Sequence, residues 1–68
     1  EENKYDPSIW NNLGIVYAYL GKYEDSLVAF DRAIELYEKI SLRSAEEENG
    51  YRGAIDNRKS LLEATEEL

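Results

Sequence analysis

With no histidine and no cysteine, this chain can do chemistry only with carboxylates, hydroxyls and amines. Glu24 and Asp25 are adjacent carboxylates, but neighbours in a helix do not face one another, and acidic groups at a helix start simply complement the positive end of its dipole. Glu46, Glu47 and Glu48 could draw a cation. They lack the alternating oxygen ligands and the glycine turn of a calcium loop, and read instead as a solvated first helical turn. Asn11-Asn12 and Asp56-Asn57 are equally unspecific. No catalytic residue, no metal ligand set and no cofactor is expected, so any function has to lie in a surface.

Fifteen acidic against eight basic side chains give a formal charge of −7. Phosphate backbones and anionic lipid surfaces are repelled at long range by such a chain, which argues against nucleic acid and membranes as partners. No apolar run approaches the roughly 20 residues needed to span a bilayer. The chain reads as soluble, and the lack of cysteine leans toward a reducing, cytoplasmic compartment. It starts at Glu1 rather than Met, as a piece excised from a longer protein or a processed product would. A hydrophobic share of 43% argues for folding, and six tyrosines suit rings with half-wet polar tips. At 68 residues the chain makes one domain and buries only about 60% of its unfolded surface.

The elements that would carry a surface are helical. Residues 1–6 are expected to be a flexible lead-in, and Asp6-Pro7 then has the form of a helix start, an N-capping carboxylate followed by a proline whose missing N–H costs nothing at the first helical position. Trp10, Leu13, Tyr17 and Leu20 recur at spacings of three and four on one stripe. Gly21 ends that helix. A second stripe, Tyr23, Leu27, Phe30, Ala33, Ile34 and Tyr37, predicts an antiparallel second helix and so a helical hairpin. Beyond Ile40 two arrangements are open. In one, residues 41–44 are a break and Ser44-x-x-Glu47 is a capping box opening a third helix near Ala45. In the other, the second helix runs on to Glu48 and Gly50 stops it. The third stripe is Tyr51, Ala54, Ile55, Leu61, Leu62 and Thr65. Gly50 and Gly53 would each cost about 1 kcal/mol relative to Ala inside it.

The run Trp10-x2-Leu13-Gly14-x2-Tyr17, then Gly21-x-Tyr23, Ser26, Phe30 and Ala33 resembles the tetratricopeptide repeat over residues 7–40. The resemblance implies an all-α fold, a repeat hairpin at 7–40 followed by a linker and a C-terminal capping helix at 41–68. Two positions depart from the pattern. The usual small Ala is Ser26, whose hydroxyl can bond back to the preceding turn. The terminating Pro falls at Glu38, which looks like the longer repeats whose second helix gains extra turns. On that register Ala54 stands 40 residues after Gly14, at the matching small position, which favours a fresh helix near Ala45. Asp56, Asn57, Arg58, Lys59, Glu63, Glu66 and Glu67 would give that helix the polar outer face an end cap needs.

In such arrays the first helix lines the concave surface, so the resemblance implies that Ser8, Asn11, Asn12, Ile15, Ala18 and Tyr19 meet a protein or peptide partner. Asn12 matches a frequent Asn of the family whose amide can bond an extended peptide. The Lys/Arg clamp that grips acidic chaperone tails is absent, which leaves an apolar or basic segment, such as a helix, as the expected ligand. The alternative is self-assembly into a homodimer that buries Leu42, Tyr51, Leu61, Leu62 or Leu68 across a two-fold interface.

Overall fold

The computed structural model describes residues 6–66. They form three helices, α1 (Pro7–Tyr19), α2 (Tyr23–Glu38) and α3 (Ala45–Glu66). Of the expected lead-in at residues 1–6, residues 1–5 lie outside the described residues, as do Glu67 of the polar outer face and Leu68 of the self-assembly face.

Each boundary has a local cause. Asp6 sits in an extended conformation and its Oδ1 accepts from the Ser8 backbone N–H at 3.0 Å and the Ser8 hydroxyl at 2.8 Å, capping α1. At the other end Gly21 takes φ of 79°. This lets the Gly21 N–H reach the Ala18 carbonyl and the Lys22 N–H reach the Tyr17 carbonyl, the paired bonds of a Schellman turn. The chain therefore reverses in three residues, and α2 starts without a side-chain cap but with Glu24 and Asp25 in its first turn.

The stop of α2 differs from the sequence expectation in an informative way. Although no proline forces it, the helix ends at Glu38, and the extra length lies in the connection from Lys39 to Ser44 rather than in added turns. Two contacts account for this. Arg43 Nη1 donates at 3.0 Å to the Tyr37 carbonyl, which also accepts from the Ile40 N–H at 3.1 Å, and Ile40 turns in against the core. The third helix then opens on the capping box: the Glu47 N–H donates to Ser44 Oγ at 3.1 Å, and the Ser44 N–H donates to Glu47 Oε1 at 2.9 Å. Of the two arrangements left open by the sequence, the break with a fresh helix at Ala45 is the one adopted.

The core runs along α2, which packs on α1 on one side and α3 on the other. Ala29, Phe30, Ala33, Leu36 and Tyr37 are its buried apolar residues, and Ala54 and Leu61 come from α3. Trp10, Ile34, Ile40 and Tyr51 are partly buried against the centre formed by Ala33, Tyr37 and Ala54. Three stripe residues are not core. Leu20 is exposed at the turn, and Tyr23 and Ile55 are each more than a third exposed, because the stripes of short helices are wider than the strip their neighbours cover.

The close crossings depend on small residues. A Cβ on Gly14 would lie 2.5 Å from Phe30 Cε1, so only glycine lets the Phe30 ring approach α1 this closely. Ser26, fully buried, donates its hydroxyl to the Gly14 carbonyl at 2.6 Å. This bond crosses between helices instead of turning back on its own, so Ser26 ties the hairpin at the point where the backbones approach. Gly50 plays the same part on α3, where a Cβ would collide with the Tyr37 hydroxyl. Gly53, by contrast, has open space beside it.

Candidate functional site

Between α1 and α3, on the side of the molecule away from the Arg43 loop, lies an open groove of about 380 Å³. Its walls are Ile15, Ala18 and Tyr19 from α1 and Asn57, Ser60, Leu61 and Ala64 from α3, with Phe30 and Tyr23 of α2 between them. All nine lining side chains are neutral. Tyr19 is 89% exposed, a large aromatic surface held out at the rim.

Two sets of interactions hold the walls apart at this spacing. Asn57 Nδ2 donates to Asn11 Oδ1 at 3.3 Å, joining α3 directly to α1 at the groove. On the other side of α3, Arg58 pairs with Asp31 of α2. Further back, the loop is clamped to α3: Arg43 Nε pairs with Glu48 Oε1 at 2.8 Å, and its guanidinium carbon lies 4.3 Å from the centre of the Tyr51 ring. Tyr51 in turn donates to Glu38 Oε2 at 2.9 Å and meets Tyr37 with ring centres 6.2 Å apart. Charge and burial leave their mark here. The Arg43 hydrogen bond, with help from Arg52, holds the Glu48 carboxyl below its usual range. The Tyr51 hydroxyl is pushed up by its bond to Glu38, and the Tyr37 hydroxyl is pushed up first by burial and then by Asp6, Glu47 and Glu46. Of the Glu46-Glu47-Glu48 run, Glu47 is thus spent on a cap and Glu48 on an ion pair, Glu46 is exposed, and among the described residues no three acidic side chains converge as a metal site would need.

The six side chains expected at a partner surface separate into three groups. Ile15, Ala18 and Tyr19 line the groove. Asn11 is half-buried and engaged with Asn57 rather than presented. Asn12 is exposed on α1 but outside the groove lining, and Ser8 is occupied at the helix start by Asp6.

The third helix contributes the half of the groove that sequence reasoning missed. Asn57 and Arg58 are expected on a polar outer face, yet both are half-buried and pair with α1 and α2 respectively. Asp56, Lys59, Glu63 and Glu66 are exposed as expected. The signal was there: Asn57, Ser60, Leu61 and Ala64 form a neutral stripe at helical spacing among the charged Asp56, Arg58, Lys59 and Glu63. Of the residues named for self-assembly, Leu61 is buried within the chain and Leu62 and Tyr51 are half-buried, which leaves Leu42, 93% exposed, as the one fully presented among those described.

A hairpin with a glycine–phenylalanine crossing, followed by a helix that builds a groove with its first helix, is a repeat geometry. The model of the tetratricopeptide repeat matches residues 7–40, half of the chain. The chain belongs to the tetratricopeptide repeat family. The matched span covers α1, α2 and the first residues of the connection, and α3 follows it in the place where the first helix of a next repeat would stand. No curated protein and no solved structure matches the chain. Among the described residues no helix is long and apolar enough to cross a membrane.

Proposed function

We propose that this tetratricopeptide repeat chain is a cytoplasmic protein-interaction module that acts as a scaffold or adaptor, does no catalysis, and takes a short apolar segment of a partner into the groove between α1 and α3. The observation that carries this reading is the groove's lining, nine neutral and mostly apolar side chains in a chain whose formal charge is −7. A strip kept free of charge in so acidic a protein suits apolar side chains. The surrounding acidity favours a segment whose flanks carry Lys or Arg. Tyr19 is the anchor, because a rigid aromatic at the rim gains contact area at little entropic cost. The domain reading that goes with this is a repeat hairpin at 7–40 and a connection and closing helix at 41–68, the latter supplying one wall of the site.

Selection from a random peptide library tests it. Bound sequences are expected to pair one or two bulky apolar residues with basic neighbours. Tyr19→Ala should then weaken the selected peptides by about tenfold, the loss of one anchor at about 1.4 kcal/mol. Ser60→Arg, which fills the groove from the α3 side, should abolish binding while leaving helicity unchanged. Peptides that bind both variants as they bind the parent chain would exclude the groove as the site.

A further inference from the structure

We propose that the pocket between the N-terminal ends of α1 and α3 is a binding site for the ammonium group of a lysine side chain carried by a partner. Asp6, Pro7 and Ser8 form one wall, Glu46 and Glu47 the other, and Tyr37 of α2 closes it between them, around a volume of about 240 Å³. That is below the roughly 300–1,000 Å³ of a site for a whole small ligand, and suits one side chain. The observation that points to a ligand is Tyr37. The residue is 4% exposed, and its hydroxyl has no hydrogen-bond partner among the described residues. No fully buried side-chain oxygen is left unpaired among those residues, so this hydroxyl is not sealed in but opens onto the pocket that Tyr37 lines. A phenylalanine would fill the same core space without taking a hydroxyl from water. Gly50 stands where a Cβ would meet that hydroxyl, so the packing of α3 on α2 makes room for a polar atom at the floor of the pocket.

Charge and donor number select the occupant. The caps of α1 and α3 use Asp6 Oδ1 and Glu47 Oε1, which leaves Asp6 Oδ2, Glu47 Oε2 and the exposed carboxylate of Glu46 as acceptors. After burial, these three carboxylates are what push the Tyr37 hydroxyl up, so all three are felt at the pocket floor. Three negative charges exceed the roughly half a positive charge that each of the two helix starts contributes. The Ser8 and Glu47 N–H groups are also taken already by the caps, so the pocket attracts a cation rather than an anion. The carboxylates are too dispersed for a metal ion. An ammonium spans such a set, because its three N–H donors reach separate acceptors, whereas the flat fork of a guanidinium matches two oxygens of one carboxylate. Ser8 and Ile15 stand seven residues apart on one side of α1, about 10 Å. A peptide whose apolar residue sits in the neutral groove therefore places a lysine here about three extended residues away. That spacing rests on the groove reading; the pocket itself does not.

Nα-acetyl-lysine amide is the probe, titrated into the whole chain at low salt while amide chemical shifts are recorded, with the norleucine and arginine amides and calcium chloride as comparisons. The lysine amide should bind with a Kd on the order of 1 mM and shift Ser8, Glu46 and Glu47. The norleucine amide, which has the apolar stem without the ammonium, should not. Tyr37→Phe, which keeps the ring in the core, should weaken uptake by about tenfold at unchanged helicity. Glu46→Gln, at an exposed carboxylate, should weaken it by about threefold. Ser60→Arg, which blocks the neutral groove, should leave it unaltered, so the pocket is judged apart from the groove. No shifts at these residues, equal shifts with the norleucine amide, or uptake unchanged in Tyr37→Phe and Glu46→Gln would overturn the proposal. So would tighter binding of the arginine amide or of calcium at the same residues.

Discussion

Glycine carries two different meanings inside the helices of this chain, and one substitution separates them. Gly14→Ala forces a methyl group into the Phe30 ring and should destabilise by about 1–3 kcal/mol, the usual cost of overpacking. Gly50→Ala should do the same through the Tyr37 hydroxyl. Gly53→Ala meets open space and should stabilise by up to about 1 kcal/mol, because alanine is the better helix former. Thermal or urea unfolding of the three variants checks the signs. Helical propensity alone assigns Gly50 and Gly53 the same cost, and only the position of Tyr37 distinguishes them. Ser26 is a second such case. Ser26→Ala leaves the size nearly unchanged and removes the 2.6 Å bond to the Gly14 carbonyl, for an expected loss of about 1 kcal/mol measured in the same way.

Among the elements, the hairpin was legible and the third helix was legible only in part. Asp6-Pro7, Gly21 and Ser44-x-x-Glu47 are local signals, each a few residues long, and each works in the structure as its chemistry implies. The end of α2 is not local. It depends on Arg43 reaching back to the Tyr37 carbonyl, and an arginine six residues on gives no periodic sign of where it will point. The clamp has a pH signature. Glu48 is held below its usual range in the folded chain, so its pairing contributes stability above the unfolded carboxylate value of about 4.3. That contribution is lost as pH falls through the folded value. Glu48→Gln should therefore narrow the gap to the parent chain as pH drops from neutral into the acid range, followed by circular dichroism melts at several pH values. Because the pair is partly exposed, the effect should be modest and should shrink in salt.

For the molecule as a whole, the fold rests on α2 being covered from both sides. Trp10 and Tyr51 approach the same centre from α1 and α3, so Trp10→Ala should cost about 3 kcal/mol, the lower end for a packed aromatic since the ring is only partly buried. Part of the groove was legible: Ile15, Ala18 and Tyr19 line it and are three of the six α1 residues that the repeat resemblance implies for a surface. The rest was not, because the tilt that brings Asn57 to Asn11 is set by Gly50 and Ala54 against α2, a contact between residues far apart in sequence. The same tilt leaves an acidic molecule with one neutral trough. Amide chemical shifts recorded while a peptide chosen from a random library is added test the partner-binding claim most directly. Shifts concentrated at Ile15, Ala18, Tyr19, Asn57, Ser60 and Ala64 are the result expected; shifts confined to the Arg43 loop or to the outer face of α3, with the groove silent, would contradict it.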